Sequence, residues 1–416
     1  MSLGVQMPAS IAYASRRASE VDPKWGFKPL PKIYTLTNSE RDRIHEVGVI
    51  SASVFKKTRD LVVSALRGDP ALAWLAKAVL ASVQPEFRSF ASEVMIASES
   101  CLPKNFRSDL LGDGTIAELQ CPGSGWGYLI ALENAYGISP ENSQVSGTYR
   151  SWLRGRRGVW WLYNESMARS IQHLSNTCKG LGIKLDALTT DEFDPNDSSM
   201  EVVVKRPPFP ELVASEKGRA LLRRWLEGRV EIDPPPNMLF DSKLLMILLH
   251  HPTTRRHFTD DERGLCHPVT LVESMDQLIG ETTIGNLHAI DPSKRRLVLK
   301  YAGARYWERF GGHAVHALHK DCKRAEVMEL ITKALRQGEE GEAWLLMPFV
   351  DSRRTFADLG MPEVSDKETS RPHYLLWRSA YQICDNGGVE HVGTVINLRH
   401  TWKVHGSSDT FCGIAM

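Results

Sequence analysis

The turn Gly112-Asp113-Gly114 lies between the runs Phe106 to Leu111 and Thr115 to Gln120, and it constrains this 416-residue chain more than any other stretch. Asp-Gly between two apolar runs is a strong hairpin signal, because glycine supplies the left-handed backbone of a tight turn. A strand's side chains alternate with a period of two, so Glu118 and Gln120 share one face. Asp109, on the partner strand, reaches the same point. Two carboxylates and an amide carbonyl form a hard, all-oxygen donor set, which suits Mg²⁺ bridging nucleotide phosphates and suits zinc poorly. Arg107 shares Asp109's strand and face, where it can neutralise a phosphate or a developing oxyanion. On spacing alone, a solvent-facing polar side of a hairpin accounts for the same residues, and it is the plainer reading.

Before the hairpin, the first ~35 residues read as an irregular arm. Ser39 to Leu66 has helical apolar spacing, with Asn38 or Ser39 as its cap, and Pro70 opens a second helix. Glu93 to Ala97 reads as a short strand. After the hairpin come a glycine-rich loop (Pro122 to Gly127) and an alternation of elements. Strands are expected at Gly158 to Tyr163, Ile183 to Ala187 and Met200 to Lys205, and helices at Asn164 to Leu181 and Glu211 to Arg229. That alternation argues for a parallel sheet with crossover connections. Asp241 to His250 reads as an apolar helix. Further strands are expected at Arg296 to Tyr301, Glu342 to Val350, His373 to Ile383 and Glu390 to Leu398, with a looped segment from Ser352 to Pro372.

Composition excludes several classes. Charged residues make up 24% with a formal net charge of +1, which gives no support for a nucleic-acid or membrane-surface binder. No apolar run approaches the ~20 residues needed to cross a bilayer, and the first residues lack the apolar core of a signal peptide. Seven cysteines with no CxxC or knuckle spacing fit a reducing compartment. A cytoplasmic location is the expectation. No GxxxxGK[ST], GxSxG or HExxH motif is present.

Two lysines and a glycine pair call for a partner. Lys300 closes the apolar strand RRLVLK, where it must meet an anion or reach water. Lys243 opens a helix, a poor place for a cation, and a phosphate there would relieve the misfit. Each alone also reads as a surface lysine. Gly311-Gly312 lets backbone approach phosphates closely or lets a loop move.

In their order along the chain, these residues resemble the circularly permuted ATP-grasp enzymes, the synthetase part of glutathionylspermidine synthase among them. The resemblance rests on Arg107-Ser108-Asp109, Glu118-Leu119-Gln120, the loop Pro122 to Gly127, Ser242-Lys243, His267-Pro268-Val269-Thr270, Val298-Leu299-Lys300, Gly311-Gly312 and Trp344 to Phe349. Acidic ligands precede the lysines, the reverse of ordinary ATP-grasp chains. The likeness covers roughly Glu93 to the C-terminus. Two departures are visible. Gln120 stands in place of asparagine, and Met347-Pro348 stands at the adenine hinge, where proline offers no N–H.

The resemblance implies an α/β (α+β) fold of ATP-grasp type, circularly permuted, with mixed sheets and a helical N-terminal segment. Its expected parts are an arm and helical segment (1–92), a metal-binding part (93–150), an α/β subdomain (151–235) and nucleotide-binding lobes (236–416). No amidase half is expected before residue 93. The implied activity is an ATP- and Mg²⁺-dependent carboxylate–amine ligase acting through an acyl-phosphate on small-molecule acid and amine substrates. Asp109, Glu118 and Gln120 would hold magnesium, and Arg107 would stabilise the acyl-phosphate. Lys243, Lys300, Gly311 and Gly312 would hold the phosphates. Leu346, Met347, Phe349 and Val350 would form the adenine hinge, with Val350 or Phe349 donating, and Val395 and Asn397 would lie beside the nucleotide. A nucleotide-binding sensor or partner protein of the same fold, without ligase activity, is the alternative.

Overall fold

The computed structural model describes residues 28–121, 125–162, 168–305, 314–319, 322–361, 371–404 and 409–416. They form a mixed α/β structure with several sheets. Tyr163 to Met167 and the glycine pair Gly311-Gly312 lie outside the described residues.

The helix Asn38–Leu66 is capped by Thr37, not by Asn38 or Ser39. The Thr37 side chain accepts from the Glu40 N–H while Glu40 reaches back to the Thr37 N–H, a reciprocal capping box. The helix Ala73–Leu80 follows a short turn at Pro70–Leu72. The expected strand Glu93 to Ala97 is instead part of a helix, Arg88–Ala97. Ala91, Val94 and Met95 are its buried residues, and a spacing of three and four is helical.

The hairpin forms as strands Asn105–Leu111 and Ile116–Gln120. It is not isolated. The first strand pairs antiparallel with His373–Ile383, which pairs with Val389–Arg399, which pairs with Phe411–Ala415. Lys28–Pro29 closes the far edge in parallel, a strand within the segment read as an arm. The C-terminal strands thus meet the hairpin in one large sheet.

The expected parallel sheet is present. Its order is Leu185–Thr189, Gly158–Leu162, Val202–Lys205, Glu231–Asp233, every pair parallel. The helix Ala168–Gly180 crosses the unexpected helix Trp126–Ala135 closely. A Cβ on Gly127 would sit 2.1 Å from the Ser170 carbonyl oxygen, so only glycine permits that approach. The single helix read over Glu211 to Arg229 divides at Ser215, which caps the second piece, Glu216–Leu226.

A small antiparallel sheet orders as Val315–Ala317, Leu297–Tyr301, Trp344–Pro348, Thr270–Leu271. The helix Arg324–Glu339, absent from the sequence reading, belongs with one of its faces, burying Leu299, Tyr301, Trp344 and Leu346 in one core. The opposite face, bearing Val298, Lys300 and Met347, turns to the large sheet. A buried knot fixes the base of this lobe. Glu342 accepts from Tyr301 Oη at 2.5 Å and from Ser82 Oγ at 2.9 Å, and it pairs with Arg305 at 2.7 Å.

No described helix is long and apolar enough to cross a membrane. A second buried pair joins the parallel sheet to the site. Lys205, fully buried, donates to Asp241 at 2.8 Å, and the Phe209 N–H donates to the same oxygen at 2.8 Å. Removing one partner of a buried pair strands a charge. Lys205→Met should therefore lower stability by roughly 3–5 kcal/mol in equilibrium urea unfolding at pH 7. A loss below about 1 kcal/mol would refute that role.

Candidate functional site between the large and small sheets

Register places the candidate residues. Arg107 pairs with Gln120 and Asp109 with Glu118 across the hairpin, and Arg378 on the next strand pairs with Asp109. Glu118, Asp109 and Arg378 therefore stand in one row across three strands, on one face. A bulge follows Asp109, since Leu110 pairs with Ile116.

Arg107 grips Asp109 with two bonds, Nε to Oδ1 at 2.7 Å and Nη2 to Oδ2 at 3.0 Å. Both residues are buried, at 4% and 5% exposure. Arg378 Nε lies 3.6 Å from Asp109 Oδ2, a charge contact and too long for a hydrogen bond.

The two lysines arrive from other elements. Lys243 caps the helix Leu244–His250, and its N–H donates to the Ala302 carbonyl at 3.0 Å. Its Nζ meets Glu118 Oε1 at 3.0 Å. Lys300 projects from the small sheet, and its Nζ donates to the Ala117 carbonyl at 2.9 Å. Both lysines thus converge on one hairpin strand.

Between the sheets lies a cavity of about 460 Å³. Asp109, Glu118, Gln120, Lys243, Lys300 and Arg378 line it. So do Val298, Met347, Phe349, Tyr374, Leu376 and Trp402. The charged members lie together along the strands. Moving from Lys300 to Val298, or from Arg378 to Leu376 and Tyr374, the lining turns apolar and aromatic. At that apolar end Phe349 stands edge-on to Tyr374 and to Trp402, with centroids 6.1 and 6.4 Å away. Four basic side chains (Lys243, Lys300, Arg378, Lys403) face two carboxylates (Asp109, Glu118). That excess of positive charge, half out of water, favours an anionic ligand.

Electrostatics follow from this crowding. Burial opposes ionisation of Glu118, but Lys243 above all, then Lys300 and Arg107, hold its carboxyl well below the usual range. Burial drives Lys300 down to about 8, with Glu118 pulling the other way and Lys243 adding to the fall. Burial likewise lowers Arg378, against the pull of Asp109.

Not every expected residue faces the cavity. Arg107 does not line it, since its guanidinium is turned onto Asp109 near Gly125. Leu346 points to the opposite face of its strand, into the core with Leu299 and Trp344, because its neighbour Met347 takes the cavity side. Val395 and Asn397 are buried on the next strand, directly across from Arg378 and Leu376 on the same sheet face, and do not line the cavity. The Phe349 N–H already donates to the Arg296 carbonyl at 2.9 Å. Of the two candidate hinge donors, Val350 is the one with no acceptor among the described residues. Gly311 and Gly312 fall outside the described residues.

The sequence reading missed Arg378, Tyr374, Trp402 and Lys403. Arg378 carried a usable signal, a charged residue in step with Tyr374 and Leu376 on a correctly read strand. Trp402 and Lys403 follow the strand Val389–Arg399, in a turn with no periodicity.

The donor set can be tested against a hard cation. Among the described residues no group of three His, Cys, Asp or Glu side chains could hold a metal on its own. Mg²⁺, however, commonly takes one or two carboxylates and completes its shell with phosphate and water oxygens. Asp109, Glu118 and the Gln120 amide supply only oxygen on the protein's side, so they fit a cation that arrives with a phosphate ligand.

No family model matches the chain, and no curated protein matches it. Solved structures similar to the chain include two ligases by their descriptions. D-cycloserine synthetase DcsG matches at 14% identity and TM-score 0.31, over 57% of this chain and 90% of that one. A protein provisionally described as a gamma-glutamylcysteine synthetase, from Methylobacillus flagellatus KT, matches at 11% identity and TM-score 0.38, over 83% of this chain and 85% of that one. Likenesses this distant carry no argument about fold or activity.

The lysine shift gives a pH prediction. Lys300 is charged below about 8 and neutral above it, so it attracts an anion only on the acid side. Sulfate does not titrate in this range. Its affinity, measured by calorimetry, should fall as pH rises from 7 to 9.5. In Lys300→Arg, which stays charged, the fall should shrink, leaving only what Lys403, also lowered by burial, contributes. For folding the direction reverses. Below about 8 the buried ammonium costs stability, and that cost fades as pH climbs toward the free value of 10.5.

Proposed function

We propose that this chain is an ATP- and Mg²⁺-dependent carboxylate–amine ligase. The observation that carries this reading is the polarity of the cavity. A cluster of lysines, an arginine and two carboxylates gives way, along the same strands, to an apolar slot walled by Met347, Phe349 and Tyr374. A nucleoside triphosphate has that polarity, with a flat apolar base at one end and a polyanion at the other.

Each residue has a part in this reading. Met347 packs against the base, and the Val350 N–H donates to it, since the Phe349 N–H is already engaged. Lys243 and Lys300 hold the phosphates. Glu118, Gln120 and Asp109 would hold Mg²⁺, which when bound offsets phosphate charge. Val395 and Asn397 flank Arg378 and Leu376 from the neighbouring strand.

The chemistry is phosphoryl transfer followed by acyl transfer. A substrate carboxylate oxygen attacks the γ-phosphorus, the bond to the β-bridging oxygen breaks, and ADP leaves. An amine nitrogen then attacks the acyl carbon, the carbon–oxygen bond to phosphate breaks, and the amine proton passes to the departing phosphate. No protein nucleophile is needed. Positioning and charge neutralisation supply the rate.

A second reading is a nucleotide-binding protein that does not turn over. The closed Arg107–Asp109 pair favours it, because both oxygens of that carboxylate are already engaged. The two readings separate on ADP and phosphate release with Mg²⁺ and pools of carboxylic acids and amines. The ligase predicts release that needs both an acid and an amine. ATP binding without release under every pool would overturn it. Glu118→Ala and Lys300→Ala should each cut turnover at least ~10²–10³-fold with circular dichroism unchanged, and full activity in either would sink the assignment.

A further inference from the structure

We infer that Arg378 is the guanidinium that grips the phosphoryl group in flight at this site, and that Arg107 instead positions Asp109. The inference rests on the nucleotide reading above and names a residue that reading left without a role.

The two arginines flank one carboxylate but differ in what they face. Arg107 spends its Nε and Nη2 on Asp109 at 2.7 and 3.0 Å, is almost fully buried and takes no part in the cavity wall. A fork closed on a carboxylate in this way holds that carboxylate's orientation. Arg378 lines the cavity, and its side chain keeps 22% exposure there. Its buried Nε makes no hydrogen bond among the described residues. Nε itself is closed to the cavity, so a ligand there would meet the terminal Nη groups, which are not buried. Asp109 Oδ2 stands 3.6 Å away, close enough to orient the guanidinium and too far to satisfy it.

Register fixes where Arg378 stands. Arg378 stands level with Asp109 and Glu118, beside the acidic end of the cavity. Lys243 and Lys300 stand over Glu118 and Ala117, on the other side of the same end. A tetrahedral anion placed there would meet two ammonium groups on one side and a planar fork on the other. The fork suits a group whose charge spreads over several oxygens, as in a transferring phosphoryl.

The test uses binding, so it needs no acid or amine substrate. Calorimetry with the full chain would measure MgADP first, then inorganic phosphate in the presence of saturating MgADP. Wild type should bind both. Arg378→Gln should bind MgADP within about threefold of wild type and phosphate at least ~10-fold more weakly, the scale of one charge-assisted hydrogen bond. Arg378→Lys, which keeps the charge but loses the fork, should fall between them, and it serves if the Gln variant does not fold. Arg107→Lys should keep phosphate binding but raise the Mg²⁺ needed for half-saturation with ADP, because one ammonium cannot hold both oxygens of Asp109. Equal phosphate affinity in wild type and both Arg378 variants, with MgADP binding intact, overturns the inference alone. So does loss of MgADP and phosphate together in Arg378→Gln, or a wild type that binds MgADP but no phosphate. Failure of wild type to bind MgADP at all overturns the nucleotide reading and this inference with it.

Discussion

The row Glu118–Asp109–Arg378 is the constraint on which the rest depends. Three charged side chains on adjacent strands must share one half-buried face, and none can be left alone there. Arg107 answers Asp109 from two residues along its own strand, and Lys243 answers Glu118 from a helix start 125 positions later in the chain. These pairings force the hairpin, the helix Leu244–His250 and the small sheet to meet at one place. The cavity is the space they leave. It is charged because the row is charged, and apolar farther along because the same strands continue with Leu376, Val298 and Met347.

Supports elsewhere hold that meeting place rigid. The Lys205–Asp241 pair ties the parallel sheet to the segment that delivers Lys243. The Glu342 knot with Tyr301, Ser82 and Arg305 anchors the small sheet to the N-terminal helices. Gly303 sits where a Cβ would lie 2.3 Å from Glu342 Oε2, so any larger residue there would have to displace the knot. Satisfied buried networks of this kind specify one arrangement.

Much of this was legible in the sequence where local chemistry speaks loudly. The Asp-Gly turn announced the hairpin, the alternation of apolar runs announced the parallel sheet, and the strand His373–Ile383 was read to the residue. Lys243 and Lys300 stood out because each was a cation in a poor place, and the structure gives each an oxygen partner. What stayed hidden was tertiary. The five residues Glu93 to Ala97 do not separate strand from helix by periodicity, and packing decided for the helix. Nothing local tells which arginine of two faces a cavity. Arg107 was read as the residue that neutralises a phosphate, yet its guanidinium closes on Asp109, and Arg378 lines the cavity from a strand more than 250 residues distant. Leu346 was grouped with Met347 by proximity in sequence, where the period of a strand separates them.

The central claim is that the space between the large sheet and the small antiparallel sheet takes a nucleotide, with its base at the Met347 end and its phosphates at the lysines. A crystal structure grown with Mg²⁺ and ADP tests it most directly. The purine should lie beside Met347 and Phe349, with the Val350 N–H directed at it, and the phosphates within reach of Lys243 and Lys300. A nucleotide bound elsewhere on the molecule, or bound here with its phosphates among the aromatic side chains, would contradict it.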